Sequence, residues 1–310
     1  MKKQIIALSA VLITSSAAHA HETTKFSGFA DAQWRLGTGT VGASIADGAI
    51  RVSRTLGEGL VNVDIPFSLS STATSNDFNV GQDKAQAFVH YKYSNGLSWR
   101  LGQWDGIFGL ERNDSPDFQF TGHGTLWTNL QPKTHMGLML GYELSDKMGV
   151  NLYAAGVADQ GSTNTSTTAI SGGALPEVGA KFSMSGDFRA SVGGSLAKAS
   201  SSLTNLYVNA TGGITLGALD LGLDVQAKKS GNSGTLGLGA GLTGIYGISE
   251  TIKGSIRAQY LSNVLTSNTI EVTVGPQVDM TKDLRVKLDY TLTSNGSLAH
   301  QGAVAAVHSF

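Results

Sequence analysis

Cysteine is absent from the 310 residues. No disulfide can staple the fold, and thiolate metal sites and cysteine nucleophiles are excluded. Proline is scarce at 5 while glycine reaches 40, a balance suited to long sheets with tight turns. Long apolar runs are missing too. No stretch approaches the roughly 20 residues of a membrane-spanning helix, and hydrophobic residues make up only 41%. Nor is positive charge in excess. Without Lys2 and Lys3, which fall in a segment set aside below, 20 basic residues face 23 acidic ones, a formal charge of −3. Nucleic-acid binding needs a basic footprint, so that class is disfavoured.

Residues 1–20 read as a secretory signal: Lys2 and Lys3, an apolar stretch from Ile5 to Thr14, then Ala18-His19-Ala20 as a small-x-small cleavage site. The expected mature chain starts at His21 and forms one domain, residues 21–310.

What the chain does have is alternation. In Leu219–Lys228 every odd position is apolar and every even one is polar or Gly. Successive strand side chains point to opposite faces, so this segment has one greasy face and one wet face. Phe26–Arg35, Val61–Leu69, Ala85–Tyr93, Met136–Leu144, Leu206–Leu216, Ile252–Tyr260, Ile270–Met280 and Leu284–Leu292 repeat the pattern. Connections fall into two classes. Gly57-Glu58-Gly59, Ser94-Asn95-Gly96, Ser145-Asp146-Lys147, Ser185-Gly186-Asp187 and Thr281-Lys282-Asp283 are tight turns. Residues 70–83, 105–132, 158–173, 228–234, 262–268 and 293–297 are longer and polar. Alternating strands with short turns at one end and longer loops at the other describe a transmembrane antiparallel β-barrel, lipid outside and water inside. The hairpins count to about 16 strands. Fourteen stays open, because Val41–Leu56 and Gly149–Ala158 alternate less cleanly. Aromatics gather at strand ends, among them Trp34, Tyr93, Tyr142, Phe182, Phe188, Tyr246 and Tyr260, as interfacial girdles require. Val304–Phe310 forms a closing strand that ends in an aromatic.

The connection from Asp105 to Pro132 stands apart. It is the longest, and it carries Phe108, Leu110, Phe118, Phe120, Leu126 and Trp127, side chains a freely solvated loop does not need. Structureless loops of this length are functional or disordered, and this composition opposes disorder. The loop is therefore expected to pack against the nearest surface, the barrel interior.

The passage Trp99-Arg100-Leu101-Gly102-Gln103-Trp104-Asp105-Gly106-Ile107-Phe108-Gly109-Leu110-Glu111 resembles the start of the third long loop in bacterial general porins and the related β-barrel porins of the outer membrane. The shared pattern is Leu-Gly-Gln followed by Phe-Gly, and this is also the third long connection by count. The barrel pattern covers nearly the whole chain, the motif about a dozen residues. General porins carry Pro before Glu-Phe-Gly-Gly here, and Ile107-Phe108-Gly109 lacks those neighbours. The resemblance implies a loop that narrows the pore, with acidic residues facing a basic wall. On the loop these are Asp105, Glu111, Asp114 and Asp117. On the wall they are Arg51 and Arg100, Arg35 nearer a rim, and Lys181, Arg189, Arg257, Arg285 and Lys287. Opposed charges across a narrow lumen orient polar solutes; the plain alternative is ordinary solvated lumen charge.

Other motifs fail on context. Gly239-Ala240-Gly241-Leu242-Thr243-Gly244 imitates a dinucleotide fingerprint but lies inside an alternating strand with no helix after it. His21-Glu22 has no second His at metalloprotease spacing, and His90, His123, His135 and His300 lack ligand spacing. No cofactor, metal or catalytic residue is expected. Small outward residues (Gly28, Ala30, Ala32, Ala85, Ala87, Gly302, Ala306) lie near both ends of the chain, where first and last strands would adjoin. They suit close protein contact and a homotrimer, which the resemblance also implies.

The expectation is an outer-membrane porin, a passive channel for small hydrophilic solutes and ions, exported by its signal peptide and surrounded by outer-membrane lipid. The second reading is a plugged barrel acting as adhesin, receptor or structural protein. A third, an outer-membrane hydrolase, requires a Ser and a His on one rim.

Overall fold

A computed structural model describes residues 23–37, 40–71, 76–80, 86–114, 116, 119–156, 175–198, 204–229, 236–262 and 268–310. The expected signal, Ala85 and Asp117 lie outside them. Among the described residues seventeen strands form one sheet: β1 (Thr24–Gly37), β2 (Thr40–Leu56), β3 (Gly59–Ser71), β4 (Asn76–Val80), β5 (Gln86–Lys92), β6 (Leu97–Asp105), β7 (Thr134–Ser145), β8 (Met148–Gly156) and β9 (Leu175–Met184). They continue as β10 (Phe188–Lys198), β11 (Thr204–Leu216), β12 (Leu219–Lys229), β13 (Leu236–Gly247), β14 (Ile252–Ser262), β15 (Thr269–Asp279), β16 (Leu284–Ser294) and β17 (Leu298–Ser309). The described helix is α1, Thr125–Asn129. Among the described residues no helix is long and apolar enough to cross a membrane.

All pairings are antiparallel between neighbours, and β1 pairs with both β2 and β17, so the sheet closes. Phe310 completes the closure: its N–H donates to Gly28 O at 3.0 Å and its carbonyl accepts from Gly28 N at 2.9 Å. β4 and β5 both pair with β3, β4 along Phe67–Ser71 and β5 along Gly59–Asp64. They occupy one barrel position, which makes sixteen. The strand count thus comes out at the sixteen expected. The stretch 70–83, expected as a loop, contains β4 and the end of β3. The ladder pairs Phe67 with Val80 and Leu69 with Phe78, and the polar pairs Ser70–Asp77 and Ser71–Asn76 carry it on into a stretch that reads as loop.

Burial is inverted relative to a soluble protein. On β12, Leu221, Leu223 and Val225 are 40–44% exposed, while Asp224, Gln226 and Lys228 are 5%, 1% and 9% exposed. The greasy face looks out and the polar face looks into the barrel, as a lipid-facing wall requires. Trp34, Tyr142, Phe188 and Tyr246 are exposed near strand ends, at the interfacial positions.

Candidate functional site: the loop across the lumen

The segment between β6 and β7 begins at a closed neck. Gly106 N–H donates to Lys133 O. Asn113 Nδ2 donates to Asp105 Oδ1 and to Lys133 O, both at 2.7 Å, and Trp127 Nε1 donates to Asn113 Oδ1 at 3.3 Å. Gln131 Nε2 reaches Glu111 O at 2.9 Å. The loop is thus internally bonded, which answers the demand that its backbone polar groups find partners.

Phe108, Phe120, Leu126, Trp127 and Leu130 of the loop are buried inside the barrel. Phe108, Leu126 and Leu130 join Trp104, Met139, Tyr153, Tyr207 and Leu261, which project inward from β6, β7, β8, β11 and β14. The Phe108 ring lies 5.2 Å from Tyr207 and 6.2 Å from Tyr153. Each such side chain contributes about 1.5–3 kcal/mol on burial. The wall is shaped for α1 at Gly239. A Cβ there would stand 2.3 Å from Leu126 Cδ2 and 2.8 Å from Leu130 Cδ1. Gly241, on the same inward face, would place a Cβ 3.0 Å from Leu126 Cδ1.

Polar contacts tie the loop to wall strands around the barrel. Gly109 N–H donates to Asn209 Oδ1 and Leu110 N–H to Asp224 Oδ2, both at 3.0 Å. Leu126 N–H donates to Gln259 Oε1 at 3.1 Å, and Thr121 N–H donates to Asp289. Thr121 O accepts from Gln33. Lysines supply the opposite polarity: Lys181 donates to Ile107 O, and Lys287 to Phe120 O at 3.1 Å. Asn209, Asp224, Gln259, Asp289 and Gln33 were not singled out from the sequence. Their only signal is a polar residue at an inward position of an alternating strand.

The loop carboxylates differ in setting. Glu111 accepts from Arg257 Nη1 at 3.3 Å, Gln259 Nε2 at 3.0 Å and Gly124 N–H at 2.9 Å, with His123 Nδ1 3.5 Å away. Burial opposes its ionisation, but the Arg257 charge, then His123 and the Gly124 amide, carry its pKa down to about 2. Asp114 pairs with Arg51, which also donates to Asp64 at 2.7 Å. Burial raises the Asp114 pKa to about 7; Asp105, Asp64 and Asp47 add to the rise and Arg51 opposes it. Asp105 accepts from Gln86 at 2.9 Å besides Asn113, and so anchors the neck.

The remaining wall cations are dispersed. Arg257 also holds Glu271 at 3.1 Å and Gly122 O at 3.0 Å. Arg285 pairs with Asp279 at 2.7 Å and donates to Pro116 O at 3.1 Å. Arg35 donates to Gln33 Oε1 at 2.9 Å. Arg100 lies against His90 at 3.2 Å and over the Phe88 ring at 4.5 Å. Arg189 meets Asp220 near the turns. The structure therefore brings Arg51, Lys181, Arg257, Arg285 and Lys287 to the loop, and leaves Arg35, Arg100 and Arg189 bonded to wall side chains.

Between the loop and the turn ends of β9 to β13 lies a cavity of about 430 Å³, bordered by Glu111, Arg112, Lys181, Arg189, Asp220 and Arg257 among others.

A closed sixteen-stranded barrel with an apolar outer face and a loop packed inside defines the outer-membrane porin class. Residues 10–303 match the family described as "Putative beta-barrel porin-2, OmpL-like", and the chain belongs to that family. Salmonella typhi OmpF, solved in complex with daunomycin, is similar in fold, with TM-score 0.69 and 14% identity over 93% of this chain and 97% of that one. The trimer form of OmpT, an outer membrane protein of Vibrio cholerae, gives 0.65 and 14% over 93% and 99%. An anion-selective porin from Comamonas acidovorans gives 0.63 and 12% over 94% and 100%. No curated protein matches the chain.

Proposed function

We propose that the barrel is a passive diffusion channel for small hydrophilic solutes and ions, and that the loop between β6 and β7 sets its size limit. The observation that carries this reading is the cavity of about 430 Å³ between the loop and the wall, bordered by charges of both signs. Water and ions are stabilised against such a lining, and wholly apolar solutes are not. On the loop side Glu111, Asp114 and, by extension, Asp105 and Asp117 shape the field. On the wall side Arg51, Arg257, Arg285, Lys181 and Lys287 act first, with Arg35, Arg100 and Arg189 further off. No cofactor or energy source enters. Residues 1–20 serve as the export signal, and the barrel assembles as a homotrimer through the wall of β1 and β17; the trimer form of the similar Vibrio protein supports that assembly.

A second reading has its own observation. The loop bonds to side chains of β1, β2, β9, β11, β12, β14 and β16, which is how a plug is held. Single-channel conductance in planar bilayers separates the two, comparing wild type with a deletion of residues 107–117. Discrete steps that grow on deletion support the channel. A silent wild type that conducts only after deletion makes the protein a plugged surface barrel.

A further inference from the structure

The cavity under the loop holds four cations, Arg112, Lys181, Arg189 and Arg257, against the carboxylates Glu111 and Asp220. Their pairing is uneven. Arg257 is engaged by Glu111 and Glu271, and Arg189 by Asp220. Among the described residues Arg112 and Lys181 form no ion pair. Lys181 donates to a neutral acceptor, the carbonyl of Ile107. The carboxylate whose charge reaches Lys181 is Asp224. Both oxygens of Asp224 are already taken by amides: Oδ2 by Leu110 N–H at 3.0 Å and Gln226 Nε2 at 2.9 Å, Oδ1 by Asn209 Nδ2 at 2.6 Å.

Arg112 and Lys181 also act on one another electrostatically, as like charges bordering one cavity. Lys181 is half-buried and Arg112 exposed at the rim, and two like charges on one cavity leave a positive potential between them that an anion relieves. The rest of the lining selects what kind of anion. Leu110, Met184 and Ile245 border the same space, so an apolar body is accommodated beside the charged head. A volume of about 430 Å³ falls within the range of small-molecule sites.

We propose that this cavity binds small organic anions, with an oxyanion head between Lys181 and Arg112 and a short apolar body against Met184 and Ile245. The binding step stands on this geometry alone. Its consequence, a channel that prefers anions, rests on the channel reading above.

The test uses the folded full-length barrel in detergent and benzoate as the probe, with benzamide as its neutral isostere. Saturation-transfer NMR and titration calorimetry compare wild type, Arg112→Gln, Lys181→Gln and the charge-keeping Lys181→Arg. Benzoate is expected to bind wild type and Lys181→Arg, to bind each Gln variant at least about fivefold more weakly, and benzamide is expected not to compete. Arg112→Gln removes no hydrogen bond recorded in the fold, so it remains informative should Lys181→Gln disturb the loop. Equal binding of benzamide, or unchanged benzoate binding in both Gln variants, overturns the site. Reversal potentials under a KCl gradient then address the channel: wild type should favour chloride and Arg112→Gln should favour it less. Benzoate binding by a barrel that does not conduct leaves the site standing and removes the channel. Conduction without benzoate binding does the reverse.

Discussion

Glu111 and Arg257 stand 146 positions apart in the chain and 3.3 Å apart in the fold, one on the loop and the other at mid-strand on β14. Arg257 is 3% exposed and holds a second carboxylate, Glu271, at 3.1 Å. This three-residue contact is a buried electrostatic tie between loop and wall. A buried pair adds little over a well-packed apolar contact, but removing one partner strands the other, at a cost of about 3–5 kcal/mol.

Arg257→Gln therefore should loosen the loop. Two carboxylates lose their cation in a site of low exposure, and relief comes by letting the loop swing away. Larger and noisier conductance steps are expected, with a lower melting temperature. The double variant Arg257→Gln with Glu111→Gln should recover part of the loss, since one stranded charge is gone. Identical steps and melting in wild type and Arg257→Gln would remove this pair from the account of loop anchoring.

The two loop carboxylates predict opposite pH behaviour. The folded pKa of Asp114 is raised from 3.8 to about 7, so its stabilising contribution is fully present below about 3.8 and is lost as pH rises through about 7. The folded pKa of Glu111 is lowered from 4.5 to about 2; its contribution is present above 4.5 and is lost as pH falls through about 2. Between pH 5 and pH 8 the Asp114 carboxyl decides. Hydrogen-exchange protection of the loop amides, corrected for intrinsic rates, should fall by up to about a hundredfold over that interval, and Asp114→Asn should flatten the change. A variant with the wild-type pH dependence would place the titrating group elsewhere.

How much of this was legible in the sequence differs by element. The strands around Leu221, Leu223 and Val225 were visible because lipid and lumen impose a period of two, and Gly57, Gly96 and Asp187 marked the turns. The strand pairing of Asn76–Val80 with β3 was not visible, because Phe78 and Val80 are too few in a stretch this short and polar to mark a strand, and hydrogen bonds of the backbone leave no trace in composition. The inward packing of the loop was legible from Phe108 and Leu126, which have no reason to be apolar in solvent. Its partners were not. Asp224 reads as a lumen residue like any other, and only the closed barrel brings it to the Leu110 amide, 114 positions away. Local patterns record which face a side chain takes; they do not record which distant backbone will cross that face.

The neck makes a sharper steric prediction. A Cβ on Gly106 would fall 2.0 Å from Pro132 O and 3.2 Å from Lys133 O, and both obstacles are backbone. Gly106→Ala must therefore part the two loop ends and break the Gly106 N–H to Lys133 O bond. Overpacking of this kind costs about 1–3 kcal/mol. Limited proteolysis should cut the variant between residues 106 and 133 faster than wild type, while the barrel strands stay protected. Equal cleavage would show that the neck yields without opening.

The outer wall at the chain ends carries the last prediction. Ala32 pairs across the closure with Ala306, and Ala30 with His308, while Ala30 also faces Gly48 on β2. Ala32 and Ala306 are exposed and Ala30 is half-buried. The corresponding face of β12 presents Leu221, Leu223 and Val225 instead. Small outward residues lower the wall locally, and a second backbone can then approach closely with dispersion contacts along the strands. Leucine suits a lipid-facing wall, so Ala30→Leu with Ala306→Leu should leave the barrel itself folded and heat-resistant. If the wall joins subunits, the same methylenes fill the gap that the partner needs. The double variant should run as a monomer on semi-native gels where wild type runs as a trimer, and its unfolding temperature should become independent of protein concentration. A variant that still runs as a trimer would move the interface to another part of the wall, and a monomeric wild type would show that the flat patch meets lipid rather than protein.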